Sequence, residues 1–368
     1  MVSPLCMYSA VGGMADDWHF SHLSAFARGG ASVVFTEATA VEERGRISPG
    51  CLGIWTDAQA EAFKPITRFI SAMGAVPAMQ IAHAGRKAAV RPPWEGGTPL
   101  TDDDVGDRTP WPVVGPSATP VADGWQTPHA LDQNEIHTLV ASFAAAARRA
   151  HEAGFRILEI HGAHGYLIHS FLSPIANRRN DAYGGDLAGR MRFALEITDA
   201  VRAAWPEDLP LFFRISAVDG PPEGWSLDDS VILARELAAR GIDVVDCSGG
   251  GIAGAPHFRA SDSGSPLKTS RDRPPGFQVP YAERVRREAG VKSMAVGVII
   301  DPHQAETILR DGRADLVALG REIMYDPFWP LHAAEALGCD PGFKMWPRQY
   351  GWAVVRRAEL AGDRADES

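Results

Sequence analysis

The sequence Phe155-Arg-Ile-Leu-Glu-Ile160, followed directly by His161-Gly-Ala-His164-Gly-Tyr166, joins a strand-like apolar run to three side chains capable of chemistry. In a parallel α/β barrel, ligands meet catalytic groups at the C-terminal ends of the strands. Two imidazoles at such a place can hydrogen-bond an anion or a carbonyl oxygen, and a phenol can hand over a proton. The pattern therefore predicts an active site at the end of a buried strand.

Strand-like runs and amphipathic helical segments alternate along the whole chain. Eight β-then-α units in a row predict a single α/β domain, a (β/α)8 TIM barrel, over residues 1–358, with a polar, frayed tail over 359–368. Two long loops, 88–130 and 248–279, follow strands and are expected to act as lids and substrate walls. The predicted strands are residues 1–8, 31–39, 75–82, 155–161, 209–216, 241–247, 291–297 and 314–320. The predicted helices are residues 18–29, 57–73, 133–153, 187–204, 227–240, 280–289, 302–311 and 327–338.

The composition restricts the function classes. A chain of 368 residues fits one barrel with loop insertions, and a formal net charge of −10 argues against nucleic acid as the main partner. No apolar run is long enough to span a membrane and no secretory signal is visible, so we expect a cytoplasmic protein without a membrane partner. The four cysteines are dispersed without a C-x-x-C motif, which argues against a disulfide framework or an iron–sulfur cluster.

Several motifs in this order resemble the Old Yellow Enzyme family, and most closely its bacterial xenobiotic reductase-like subgroup. Besides the His161 motif, they are Ser3-Pro-Leu-Cys6-Met-Tyr8, Gln80-Ile-Ala-His83-Ala-Gly-Arg86-Lys87, Asn177-Arg-Arg-Asn-Asp181-Ala-Tyr183-Gly-Gly185, Pro275-Gly-Phe-Gln278 and Leu319-Gly320-Arg321. The resemblance implies an FMN-dependent ene-reductase, or NADPH dehydrogenase. Such an enzyme takes hydride from NADPH, with NADH as an alternative, and reduces an activated alkene in a ping-pong cycle.

The resemblance also implies roles for the residues at the strand ends. His161 and His164 would bind the carbonyl or nitro oxygen of the substrate and stabilise the charge that develops there. Tyr166 would protonate the substrate's α-carbon, since a phenol stays protonated at neutral pH. Cys6 would lie beside the flavin ring, and Tyr8 would bind substrate.

The expected cofactor site is made of matched positions on several strands. An Arg inside the apolar strand around Arg214 needs a partner, which is either negative charge on a reduced flavin or an internal salt bridge. Gln80 can both donate to and accept from the flavin pyrimidine edge. The remaining expected contacts are Ser3, Pro4, Leu5, Cys6 and Ala38 along the ring, and Gly297, Gly320 and Arg321 at the phosphate.

Two further expectations concern the chain ends. Family members usually carry a β-hairpin that plugs the barrel floor, but here Met1 lies almost inside the first predicted strand. Either the start is truncated, or this barrel leaves apolar side chains exposed at its floor. Trp352 aligns with a position that reaches a neighbouring subunit's site in some relatives, which suggests a homodimer or homotetramer. Alternatively, Trp352 buries itself on its own barrel.

Two other hypotheses remain open at this point. The first is a metal-dependent hydrolase on a TIM barrel, in which the cluster around His161 and His164 holds zinc or manganese. No carboxylates clearly complete a metal shell in the sequence, so we assign no metal ligands. The second is a barrel that keeps the motifs but binds flavin poorly because its floor is uncovered. Fold alone does not separate these hypotheses, because barrels host many chemistries.

Overall fold

The computed structural model describes residues 1–253 and 273–366, and its core is a curled sheet of parallel strands. Neighbouring strands follow one another in the chain, apart from two short strands in a loop, as expected for βα units. The sheet contains β1 Val33–Ala40, β2 Val76–Ala82, β5 Ile157–Gly162, β6 Leu211–Ser216, β7 Val244–Ser248, β8 Lys292–Ala295 and β9 Leu316–Val317. The short pair β3 Val114–Gly115 and β4 His129–Ala130 lies within the long loop 88–130.

The amino-terminal segment closes the barrel. Val2 forms parallel bridges to Val34 on one side and to Leu319 on the other, and the Ser3 amide donates to the Leu319 carbonyl at 2.8 Å. The prediction of a strand over residues 1–8 is wrong in extent, because regular pairing is limited to Val2 among these residues. From there the chain turns, and Tyr8 adopts a left-handed φ of 53° that no strand residue has.

Helices cover the outside of the barrel, and several begin with a side-chain cap. Thr56, Asp132 and Ser226 each form a capping box that satisfies free amides of the first turn. The helices are α1 Asp17–Arg28, α2 Asp57–Ala72, α3 Gln133–Glu152, α4 Leu167–Leu172, α5 Leu187–Ala204, α6 Leu227–Ala238, α7 Val279–Ala289, α8 Pro302–Arg310, α9 Arg321–Tyr325, α10 Trp329–Ala336 and α11 Arg348–Asp366. None of the helices described is long and apolar enough to cross a lipid bilayer.

Three helices differ from the sequence prediction. The short helices α4 and α9 follow β5 and β9, where no helix was predicted. Helix α11, Arg348–Asp366, lies where no helix was predicted, and the frayed tail over residues 359–368 stays a prediction. The prediction for loop 248–279 falls largely on residues 254–272, which lie outside the described residues.

Side chains that point into the barrel form layers along its axis. The N-terminal ends of the strands contribute an apolar floor, all of it buried, so the expected exposure of the floor is wrong for these side chains. The floor consists of Val33, Phe35, Ala78, Ile157, Phe212, Val244, Met294, Val296 and Ala318. Met1, Val76 and Leu316, partly buried, pack against it. Above the floor, the inward positions become polar, and the chemistry begins there.

Candidate active site

His161, His164 and Tyr166 come together at the C-terminal end of β5. The His161 ring lies 5.1 Å from the centroids of both the His164 ring and the Tyr166 ring, edge to face in each case. The turn between them is tight, since His164 and Gly165 have φ angles of 61° and 77°. A Cβ at Gly165 would meet the Gly251 carbonyl oxygen at 2.1 Å, which explains the glycine. The motif therefore folds into one compact group.

A hydrogen bond defines the tautomer of His161, and His164 continues the chain of polar contacts. His161 Nδ1 accepts from the Ala163 amide at 3.1 Å, so a neutral His161 carries its proton on Nε2. His161 Nε2 lies 3.3 Å from His164 Nδ1, and His164 Nε2 lies 2.8 Å from Ser248 Oγ. Burial, followed by the charge of Arg214, lowers the pKa of both imidazoles well below the ordinary value. Both rings are therefore neutral hydrogen-bond donors at physiological pH.

Tyr166 keeps its proton. Burial, and then the proximity of the Cys6 and Cys51 thiols, raises the pKa of Tyr166 well above the ordinary phenol value. Tyr8 lies in the same environment, and burial also raises its pKa. Cys6, Tyr8 and Tyr166 all pack, partly buried, against one apolar cluster that includes Ala38. The structure thus brings together the predicted substrate-side residues from the amino-terminal segment, β1 and β5.

A buried polar layer lies one inward position below the histidine rim. It consists of Gln80, Glu159, Arg214 and Asp246, on β2, β5, β6 and β7, and we call it the polar layer. Gln80 Nε2 donates to Glu159 Oε1 at 2.7 Å. Arg214 Nη1 donates to Ser3 Oγ at 3.1 Å, and Arg214 Nε lies 3.2 Å from Asp246 Oδ2. The internal ion pair considered for Arg214 is therefore present.

The positive charge expected for a phosphate site lies beside β8 and β9. Gly297 follows β8 with a φ of 123°, and Gly320 directly precedes Arg321 in α9. A Cβ added at Gly320 would meet only Leu5 Cδ2, at 3.7 Å. Burial and the charge of Arg321 lower the pKa of Arg273, so two guanidinium groups share this edge. Such a pair is stabilised by an anion, and Arg273 was not predicted from the sequence.

Three anchors hold the turn between His161 and Tyr166, and the sequence did not indicate them. Ser216 Oγ accepts from the His164 amide at 2.9 Å, and His169 Nδ1 accepts from the Gly165 amide at 2.8 Å. Lys87 Nζ donates to the carbonyls of His164 and Gly251, both at 2.9 Å. His169 in turn faces Asp219 Oδ1 at 2.8 Å, with both side chains fully buried. These side chains position the reactive groups.

Trp352 lies apart from these groups on helix α11. Its side chain is 64% exposed, and the Arg356 guanidinium lies 5.6 Å from its ring. The alternative in which Trp352 buries itself on its own barrel is therefore wrong. Its predicted contact with a neighbouring subunit stays a prediction.

The comparison with known proteins assigns the family. Residues 1–339 match the NADH:flavin oxidoreductase / NADH oxidase family. The chain belongs to this family. It is 42% identical over 340 residues to an NADPH dehydrogenase of Geobacillus sp. (strain WCH70), an alignment that covers 92% of this chain and 90% of the relative. It is 41% identical over 342 residues to an NADPH dehydrogenase of Listeria innocua, with the same coverage of 92% and 90%.

Solved structures of this family share the barrel. Morphinone reductase in complex with tetrahydroNAD has a TM-score of 0.69 and 26% identity, over 92% of this chain and 86% of that one. The Old Yellow Enzyme homologue from Zymomonas mobilis has a TM-score of 0.71 and 24% identity, over 91% and 88%. The predicted resemblance to Old Yellow Enzyme and the predicted TIM barrel are confirmed.

Membership in the family makes the protein an FMN-dependent oxidoreductase that uses a reduced nicotinamide dinucleotide. The residues present fit such a cofactor. Arg214 provides a buried cation whose Nε has no hydrogen-bond partner. Arg273 and Arg321 together provide two positive charges, which match the charge of a phosphate dianion. In the part of the chain that the structure describes, no three His, Cys, Asp or Glu side chains are grouped to hold a metal ion. The family, and not this absence, decides against the hydrolase hypothesis.

Proposed function

We propose that this oxidoreductase reduces activated C=C bonds, as in α,β-unsaturated carbonyl compounds and nitroalkenes, with hydride that originates from NADPH. One observation carries the proposal. Two neutral imidazoles and a protonated phenol converge at the end of β5, directly above the polar layer that contains Arg214. Neutral donors suit an uncharged carbonyl oxygen, whereas an anion would be held better by cations.

His161 and His164 would hold the activating oxygen of the substrate. The contact between His161 Nε2 and His164 Nδ1 is long at 3.3 Å, so the His161 N–H can turn to a substrate oxygen at little cost. When bound, FMN supplies the hydride that reaches the substrate's β-carbon. Tyr166 would then protonate the α-carbon, because its raised pKa keeps the proton available until a stronger carbanionic base is present.

The remaining proposed contacts follow from position. The chain from Ser3 through Pro4 and Leu5 to Cys6, together with Ala38, Gln80 and Arg214, would surround the isoalloxazine. Gly297, Gly320 and Arg321 would hold the phosphate, and Tyr8 would contact substrate with the two histidines. Hydride donor and alkene would use this one pocket in turn, which gives ping-pong kinetics. We also propose that Trp352 contacts the substrate site of a neighbouring subunit in a homodimer or homotetramer, and that the protein is cytoplasmic.

The test separates the two half-reactions by stopped-flow absorbance. Tyr166→Phe should slow oxidation of the reduced enzyme by an enone by about 100- to 10,000-fold, the usual contribution of a general acid. Reduction by NADPH should keep its wild-type rate, because no proton transfer from Tyr166 is needed there. Tyr325→Phe is the control, since Tyr325 is 88% exposed and makes the same chemical change on the surface. An unchanged enone rate in Tyr166→Phe would refute the assigned role.

A further inference from the structure

The polar layer contains more negative than positive charge. Glu159 and Asp246 are fully buried, and Arg214 is 6% exposed. If both carboxyl groups were ionised, the three side chains would carry a net charge of −1. The other polar groups that face them are neutral: Gln80 from β2, Ser3 from the amino-terminal segment and His161 from the rim. Glu37 on β1 faces His19 of α1 instead, at 3.6 Å.

The hydrogen bonding of this layer is incomplete in a specific way. Glu159 Oε1 accepts from Gln80, but Glu159 Oε2 has no partner. Both oxygens of Asp246 and Nε of Arg214 also lack a hydrogen bond, although Nε and Oδ2 lie 3.2 Å apart. Unsatisfied carboxylate oxygens at zero exposure are rare, because their desolvation is not repaid. A carboxyl proton would remove one of the buried charges.

We propose that Glu159 and Asp246 share one proton around Arg214, and that this proton tunes how strongly the barrel stabilises the negative charge of reduced FMN. The proposal rests on the proposed position of Arg214 beside the flavin, but it adds a function for two residues outside the reaction. One guanidinium neutralises one carboxylate, and the retained proton neutralises the other. With the proton in place the layer is neutral overall, and without it the layer repels an anionic cofactor.

Independent physical reasons point the same way. Burial raises the pKa of both carboxyl groups, and the charge of Asp246 further raises the pKa of Glu159, while Arg214 opposes both shifts. Because the two groups interact strongly, the proton belongs to the pair and not to either residue. Hydride transfer from NADPH brings two electrons and one proton to FMN. The added negative charge beside Arg214 then raises the proton affinity of the carboxyl pair, so a pair that has lost its proton at alkaline pH takes one up from water.

Gln80 couples the protonation state of Glu159 to the flavin edge. With Glu159 ionised, Gln80 Nε2 donates to it at 2.7 Å, which leaves Gln80 Oε1 to accept from a ligand. With the proton on Glu159, the amide can turn, accept that proton in a hydrogen bond, and present its NH₂ group to the ligand. The protonation state of Glu159 thus selects whether Gln80 is an acceptor or a donor toward the cofactor.

The test measures the midpoint potential of the bound FMN between about pH 6 and about pH 9.5. The variants are Glu159→Gln and Asp246→Asn, each compared with the wild type. The control is Asp340→Asn, the same change at a buried carboxylate that accepts from the Lys344 and Met345 amides. At each pH, the midpoint potential of the wild type is subtracted from that of the variant. The subtraction removes the pH dependence that comes from protonation of the flavin itself.

Glu159→Gln imitates the protonated layer. The midpoint potential of FMN bound to this variant should equal that of the wild type at the acidic end of the pH range. At the alkaline end, where the wild-type carboxyl pair loses its proton, the potential of the variant should be higher. We expect at least a tenfold difference in the ratio of reduced to oxidised FMN, which is about 30 mV for a two-electron couple. Asp246→Asn should show the same pH-dependent divergence, because Glu159 then ionises against Arg214. Asp340→Asn should follow the wild type throughout.

If the difference in midpoint potential between variant and wild type does not vary with pH in either variant, the proposal is overturned. Such a result would leave the enone reaction and its Tyr166→Phe test untouched. If both variants fail to hold FMN, the reduced-minus-oxidised infrared spectrum of the wild type decides. At about pH 9.5, where the oxidised layer has lost its proton, a gain of carboxylic acid absorbance that shifts in heavy water supports the shared proton, and a spectrum without that gain overturns it.

Discussion

Replacing His169 by Leu should release the turn that carries His164 and Tyr166. The His169 ring is fully buried, and its Nδ1 accepts the Gly165 amide proton at 2.8 Å. Leu keeps the bulk but leaves this amide unsatisfied, at a cost of about 1–3 kcal/mol, and it also removes the contact of His169 with the buried Asp219. The left-handed His164, with a φ of 61°, adds about 1–2 kcal/mol of strain that the anchors must offset. The lost bond is therefore comparable to the strain that it opposes.

The expected result is a local loss of order at Tyr166. A penalty of about 1–3 kcal/mol corresponds to a roughly 5- to 150-fold slower enone half-reaction, measured by stopped-flow absorbance. The free energy of unfolding should fall by a similar amount in urea denaturation. His169→Asn is the matched control, because its Oδ1 can replace Nδ1 as the acceptor and should restore most of the rate. An enone rate in His169→Leu equal to that of the wild type would refute the anchoring role.

Two further predictions follow from the shifted pKa values. Because the pKa values of His161 and His164 are lowered, neither ring gains a proton as the pH falls from about 8 to about 6, so KM for an enone should stay flat. A KM that rises steeply toward about pH 6 would contradict the neutral assignment. Burial and then Glu37 raise the pKa of the Cys6 thiol, so iodoacetamide at about pH 8 should label the exposed Cys339 well before Cys6 in peptide mass mapping. Faster labelling of Cys6 would show that a thiolate forms there.

The order of elements could be predicted from the sequence because each strand carries a short apolar run that no other element competes for. The first strand was the exception. Residues 1–8 contain enough apolar side chains to look like a strand in the sequence. The contact of Glu37 with the Met7 amide at 3.2 Å pulls the chain away from regular pairing after Val2. Such a contact between distant residues leaves no local pattern in the sequence.

Two residues of the polar layer, Glu159 and Asp246, were not predicted from the sequence. Asp246 lies in the short apolar run of β7, yet it points inward like Arg214 and Gln80. Polar residues at every second position, 159 and 161 on β5 or 246 and 248 on β7, indicate a polar inner face in the upper half of the barrel. The anchors His169 and Lys87 could not be inferred in this way, because their partners are backbone atoms of other loops.

The closure of the barrel at Val2 also governs when the protein can become functional during synthesis. Ser3, which contacts Arg214, is held in place by the Leu319 carbonyl. The amino-terminal segment therefore reaches its final position only when the residues around Leu319 are present. Contacts of such high sequence separation form late in folding, after the local βα units have collapsed. A nascent chain on the ribosome can thus build most of its barrel wall, but the proposed flavin site is completed only after β9 has emerged.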